Sequence, residues 1–255
     1  MKKKEIVLQT GKKIYFASDF HLGAPDNKSS RLRELKIIRW LNEIAADAQE
    51  IFILGDVFDF WYEYKYLAPK GHIRFLAKIA ELTDNGVEIS FFKGNHDMWM
   101  KDYLQDEIGV TIYDDNLDIK VNDFVIQIGH GDGLGPGDYS YKLLRKIFRS
   151  SWAKWLFTRL HPNFSFWMAN GWSGHSRLHH EEDRIHLGEK EFIFQYCQQQ
   201  QEIEKRDLYL FGHRHLPMEM DLVKDGRYVN LGEWIQYFTY GVFDGRSFTL
   251  KKYED

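Results

Sequence analysis

Gly94-Asn95-His96-Asp97 follows directly on the apolar run Glu88-Ile89-Ser90-Phe91-Phe92. The run over 87–92 reads as a buried strand, and the four residues after it read either as a plain turn or as a site. Working outward from this point, the same arrangement recurs. Ile14 to Ala17 is followed by Asp19-Phe20-His21, and Glu50 to Leu54 by Gly55-Asp56-Val57-Phe58-Asp59. Phe124 to Ile128 leads into Gly129-His130-Gly131-Asp132, and Leu208 to Phe211 into Gly212-His213-Arg214-His215. Five strands each end in a tight turn that carries Asp, Asn or His. In open α/β sheets, ligands bind beyond the carboxyl ends of the strands, so the five clusters should converge.

Each cluster alone is as readily a turn as a ligand. Together they offer Asp oxygens, imidazole nitrogens and one amide oxygen. That mixed set suits Mn²⁺, Fe²⁺ or Zn²⁺ rather than Ca²⁺. Asp19, His21, Asp56, Asn95, His130, His213 and His215 supply eight contacts if Asp56 bridges, enough for two metals with open positions. Paired metals clamp both oxygens of an in-line phosphoryl displacement, and they make hydroxide available at neutral pH.

The bulk numbers fit an enzyme of ordinary globular type. The chain has 255 residues, 44% of them hydrophobic and 28% charged, with a net charge of −4. This balance argues against a general nucleic-acid partner. One cysteine, Cys197, excludes an internal disulfide, fits a reducing compartment and reads as a small buried residue. The basic start, Met-Lys-Lys-Lys, has no long apolar run behind it, so neither a signal peptide nor a membrane span is expected, and the default location is cytoplasmic.

Apolar residues at helical spacing predict helices over 32–46 and 73–82, the second stopped by Asn85-Gly86. Short strands are expected over 218–223, 228–231, 237–243 and 248–253. Strands alternating with helices, then a run of strands, predict an α/β layered sandwich. The chain reads as one domain, 1–255, interrupted by an insert at 139–180 that is too long for an ordinary connection. The insert holds Lys142, Arg145, Lys146, Arg149, Lys154, Arg159 and Arg177 and no acidic residue. It is also rich in Trp and Phe. On composition alone, a helical subdomain with its own aromatic core and solvated charges is the simplest reading, ahead of a lipid or membrane surface.

The set D-x-H, G-D-x-x-D, G-N-H-D, G-H and G-H-x-H, in this order, resembles the calcineurin-like metallophosphoesterase superfamily. The resemblance implies a four-layer αββα sandwich with a helical lid insert. It implies that Asp19, His21, Asp56 and His215 hold one metal and that Asp56, Asn95, His130 and His213 hold the other. It also implies a catalytic role for His96, as hydrogen-bond donor or general acid, with Asp97 orienting the ring. Asp59 and Asp132 are either supports for ligand histidines or plain turn residues. The remaining histidines, His72, His161, His175, His179, His180 and His186, match no motif and are expected on solvated or packed positions.

Gly55 to Trp61, His130-Gly131-Asp132 with Asp138, the basic aromatic insert and Leu231-Gly232-Glu233-Trp234 together resemble the UDP-2,3-diacylglucosamine diphosphatase family of lipid A biosynthesis. That resemblance implies hydrolysis of a nucleotide-activated acylated sugar to UMP and lipid X, with Mn²⁺ as the usual metal. It further implies peripheral contact with the cytoplasmic face of the inner membrane and a lid that holds the acyl chains. Asp138, Ser176 and Arg177 are candidate substrate contacts. The best-known branch carries arginine after the metal-binding asparagine, whereas this chain carries His96. Another nucleotide or lipid phosphodiester or pyrophosphate is the alternative substrate; a metal-free binding scaffold and a nuclease are weaker alternatives. The sequence does not specify an oligomeric state.

Overall fold

The computed structural model describes residues 2–137, 139–168, 171 and 185–254. Twelve strands in this part of the chain form two six-stranded sheets. One sheet has the order β12-β11-β2-β3-β4-β5, built from β2 (Lys13–Ala17), β3 (Ala48–Ile53), β4 (Glu88–Phe92), β5 (Thr111–Tyr113), β11 (Thr239–Phe243) and β12 (Phe248–Lys252). The other has the order β1-β6-β7-β8-β10-β9, from β1 (Lys2–Ile6), β6 (Leu117–Val121), β7 (Phe124–Ile128), β8 (Leu208–Phe211), β9 (Met218–Asp221) and β10 (Arg227–Asn230).

Alternation along the central strands builds the layers. Phe16, Phe52, Leu54 and Phe92 of the first sheet meet Ile119, Ile126, Ile128, Leu208, Leu210 and Val229 of the second in an inter-sheet core. Their neighbours Tyr15, Ala17, Ile51 and Ile53 turn the other way, onto helices α1 (Asn27–Ile44), α2 (Ile73–Asp84) and α3 (Tyr103–Ile108). On the far side, Tyr209 and Phe211 of β8 pack with Ile193, Phe194 and Cys197 of the last helix, α7 (Phe192–Ile203). Strands buried on both faces read as continuous apolar runs, as these do. The result is helices, sheet, sheet, helix: the expected four-layer αββα sandwich. Burial raises the Cys197 thiol well above its usual range, so it packs as an inert small residue.

Several element bounds differ from the sequence expectation. Helix α1 starts five residues before Leu32 because Asp26 caps it, accepting from the backbone N–H of Lys28 and Ser29. Strands β1, β5 and β6 and helix α3 were not expected. The cluster Gly129-His130 therefore follows the seventh strand, with β5 and β6 between it and the GNHD strand.

Between β7 and α7 the chain forms helices α4 (Tyr139–Arg149), α5 (Ser151–Phe157) and α6 (162–168). Their aromatics do not form a private core. Trp152, Trp155 and Trp167 are 62%, 58% and 72% exposed. Phe148 and Phe157 instead pack on Trp99 of the main fold, with ring centroids 5.7 and 4.7 Å away. Asp138, Ser176 and Arg177 lie outside the described residues, as do His175, His179 and His180. Among the described residues, no helix is long and apolar enough to cross a membrane.

Candidate metal centre

Strands β2, β3 and β4 are adjacent and parallel in one sheet, and β7 and β8 are adjacent and parallel in the other. Face-to-face packing brings their carboxyl ends together. The loops then lock to one another through the backbone. Asp19 N donates to Gly55 O at 3.1 Å, His21 N to Asp56 O at 2.9 Å, and Gly212 N to His130 O at 2.9 Å. Two side chains continue the lattice: Asp56 Oδ1 accepts from His96 N at 2.9 Å, and Asp19 Oδ2 accepts from His213 N at 3.0 Å. Glycine is required at two of these turns, because a Cβ on Gly94 would collide with Asp56 and one on Gly212 with Ser18 and Asp19.

The seven predicted ligands converge in two overlapping groups. In the first, His21 Nε2 and His215 Nε2 lie 3.0 Å apart, with Asp19 Oδ1 3.1 Å from His215 Nε2 and 3.7 Å from His21 Nε2. Asp56 Oδ2 lies 3.7 Å from His21 Nε2, and the four residues form a cluster with metal-ligand spacing. In the second, Asn95 Oδ1 is 3.0 Å from both His130 Nε2 and His213 Nδ1. Asp56 Oδ2 is also 3.3 Å from His130 Nε2. That one oxygen faces both groups, which is the placement of a bridging ligand.

The test of fit lies in the polar atoms left over. Asp19 Oδ1 and Asp56 Oδ2 are fully buried and accept no hydrogen bond. Buried carboxylate oxygens are costly to leave unsatisfied. Here both oxygens point at imidazole nitrogens whose second ring nitrogen is, for His130, already committed: Nδ1–H donates to Leu54 O at 2.8 Å. Nε2 is therefore the atom that faces Asp56 and Asn95, as a metal ligand requires. The donor set and its two orphaned oxygens fit a pair of divalent cations.

Electrostatics say the same. Burial opposes charge on every one of these groups, but mutual attraction overrides it at several. The Asp19, Asp59 and Asp56 carboxylates raise His21 to about 10 despite its burial. Asp56 likewise raises His130 to about 10. Burial would raise Asp19 and Asp56, yet the surrounding histidines hold both well below the ordinary carboxylate range. His213 goes the other way: burial and the charge on His130 push it down to about 4.

His96 sits beside this cluster, its ring centroid 4.8 Å from that of His21. Burial lowers its pKa. Its Nδ1–H donates to the backbone carbonyl of Asp59 at 3.0 Å. The expected orienting role of Asp97 is corrected here. The Asp97 carboxylate accepts from Gly94 N at 2.8 Å, Val57 N at 2.7 Å and Phe58 N at 3.3 Å. It ties two loops together and does not hold the His96 ring, because its oxygens are committed to backbone N–H groups on the other side of the turn. Asp59 orients both histidines, through its carbonyl to His96 and through a carboxylate oxygen 3.8 Å from His21 Nδ1.

Three supports surround the site; of these, sequence reasoning had named Asp132 and Trp234 without their partners and had not identified the Arg214–Glu191 pair. Asp132 accepts from Tyr141 OH at 2.9 Å and lies 2.5 Å from Arg145 Nε, so it anchors α4 beside the site. Arg214, between two ligand histidines, pairs with buried Glu191 at 2.8 Å. Trp234 N donates to Asp19 O at 3.2 Å, which explains why Gly232-Glu233-Trp234 belongs with the motifs. A buried acid two residues after a ligand histidine was the one available signal, at Asp132.

The family model for calcineurin-like phosphoesterases matches residues 12–217. A UDP-2,3-diacylglucosamine hydrolase of Porphyromonas gingivalis is 36% identical over 258 residues, covering 95% of this chain and 98% of the relative. One of the same name from Aeromonas hydrophila is 28% identical over 228 residues, covering 87% and 90%. With the model match spanning all five clusters, the chain belongs to the calcineurin-like phosphoesterase family.

Proposed function

We propose that this enzyme hydrolyses the pyrophosphate of UDP-2,3-diacylglucosamine to UMP and 2,3-diacylglucosamine 1-phosphate, lipid X, with two divalent metals, Mn²⁺ by preference. The observation that carries the reading is the convergence of seven Asp, Asn and His ligand candidates in two groups that share Asp56 Oδ2. Beside them, Phe157 of α5 packs with Tyr62, Met98 and Trp99 in a buried aromatic cluster that ties the insert to the loops following Asp59 and His96. The names borne by the curated relatives support the same substrate.

Asp19, His21, Asp56 and His215 would hold one metal, and Asp56, Asn95, His130 and His213 the other. When bound, such metals polarise phosphoryl oxygens and acidify water. The chain supplies the rest. Asp59 fixes the His96 tautomer, so Nε2 is the atom that exchanges a proton at the substrate. Asp56 and Asp19 hold the loops in register through Oδ1 and Oδ2 while their other oxygens face the metals. The insert at 139–180 serves as a lid. Its outward tryptophans and the exposed Lys146 suit an acyl chain and an anionic surface. We place the enzyme in the cytoplasm, on the inner face of the membrane, with Asp138, Ser176 and Arg177 as substrate contacts.

The test is a product assay with Mn²⁺, offering UDP-2,3-diacylglucosamine beside bis-p-nitrophenyl phosphate. Release of UMP and lipid X at a rate far above diester cleavage is expected. Cleavage of the generic diester alone would leave the metal chemistry intact and reject this substrate.

A further inference from the structure

The proposed substrate carries a nucleoside half, for which the metal ligands alone provide no seat. A cavity of about 650 Å³ opens from the other metal group, bounded by His130, Asp132 and Arg145 on one side and by Phe92, Lys93 and Tyr113 on the other. Its volume is in the range of small-molecule sites. Its walls differ from those of the aromatic cluster. Lysine, arginine, aspartate and asparagine make up seven of its eleven lining residues.

Two features select a nucleoside phosphate. Phe92 and Tyr113 stack with ring centroids 5.1 Å apart and planes at 20°. Phe92 is buried and fixes the Tyr113 ring, which is itself half-buried at the cavity wall. This is a rigid aromatic platform, and Lys2 Nζ lies over it, 5.9 Å from the Tyr113 centroid. Planar bases bind such platforms by their faces. Nearer the metal ligands, Lys93 and Arg145 contribute positive charge. Each is held in place by a carboxylate, Lys93 by Asp114 at 2.6 Å and Arg145 by Asp132 at 2.5 Å. Asp114, Asp115 and Asp132 line the same cavity, so a phosphate passing from His130 would share these cations with their carboxylates.

We propose that the cavity between Tyr113 and Arg145 is the nucleotide subsite, where the uracil stacks on Tyr113 and the 5′-phosphate runs between Lys93 and Arg145 toward His130. This rests on the reading of the substrate as a uridine-linked pyrophosphate. The nucleoside half of the substrate then leaves the metals toward Tyr113.

The test measures UMP binding directly, by calorimetry on the Mn²⁺-loaded enzyme, and compares Tyr113→Phe, Tyr113→Leu and the unaltered chain. Loss of one base stack predicts a fall in UMP affinity of about tenfold in Tyr113→Leu. Near-normal affinity is expected in Tyr113→Phe, and inhibition by lipid X should be unchanged in both. Leucine keeps the apolar contact with Phe92, and thermal melting checks that the variant folds. Equal UMP affinity in all three proteins, or no UMP binding to the unaltered chain, overturns the subsite. Because UMP binding is read without turnover, its outcome is separate from the product assay: turnover with unaffected UMP binding rejects the subsite alone. Failed turnover with Tyr113-dependent UMP binding rejects the lipid substrate and retains the subsite.

Discussion

The loops that carry the metal ligands and the helices that roof them are built on opposite principles. Asp19, His21, Asp56, His213 and His215 all have left-handed backbone, with φ between 43° and 69°. Such conformations cost on the order of 1–3 kcal/mol each in a non-glycine residue and persist only where the surroundings over-determine them. Here cross-loop backbone bonds and carboxylate supports do so. The lid helices are regular and present Trp152, Trp155 and Trp167 to solvent. One region spends stability on fixed donor atoms. The other leaves apolar surface open to whatever it covers. The contrast fits the proposed division, with chemistry at the strand ends and substrate choice at the surfaces around them.

The largest effect should come from the bridging position. Asp56→Ala removes the oxygen common to both ligand groups and should reduce turnover by at least about 10³-fold, with metal content falling in parallel. Metal analysis of the folded variant checks this; full activity with two metals retained would break the distinction between the loops and the lid. His96→Ala should lower kcat by about 10²-fold while metal content stays the same, the outcome expected of a proton-exchanging group; loss of metal would make it a ligand instead.

A pH dependence follows from the raised histidines. In the absence of metal, His21 and His130 titrate near 10 and are protonated at pH 7. Ligation requires the neutral ring, so metal binding must expel these protons. Metal affinity should therefore rise as the pH goes from 6 to 9, and calorimetry in buffers of different ionisation enthalpy should detect proton release. Pairing with the carboxylates gives the opposite sign if metal is never added: that electrostatic stabilisation is complete below the unfolded value of about 6.5 and fades as pH approaches about 10. A metal affinity that is flat across this range would remove the tight carboxylate–imidazole coupling from the account.

The smallest effect concerns the lid. Trp155 is 58% exposed, so Trp155→Ala should change stability by no more than about 0.5 kcal/mol. The KM for a diacylated substrate should rise several-fold, with no change for a generic diester. Equal effects on both substrates would show that the lid does not distinguish them.

The convergence of the candidate residues was legible because each follows a continuous apolar run that ends at a glycine or tight turn, a pattern visible within a dozen residues. The support structure was less visible. Asp97 looks like a partner of its neighbour His96, yet it binds the backbone of Val57 and Phe58, some forty residues earlier. Only the folded loops reveal that preference. Strand β1 carries three lysines in five residues, and the apolar pattern of β6 is broken by Asp118. Asp118 is buried because Arg206 pairs with it at 2.9 Å from across the sheet. A charge neutralised from 88 residues away is read in the linear chain as a loop. The lid aromatics were visible as composition, but whether they packed together or faced outward depended on tertiary contacts.

The most direct test of the central claim is the number of metal ions per chain. Protein loaded with Mn²⁺, freed of excess metal and analysed by native mass spectrometry should carry two ions. A ceiling of one ion, or of none, would contradict the dinuclear centre on which the proposed chemistry stands.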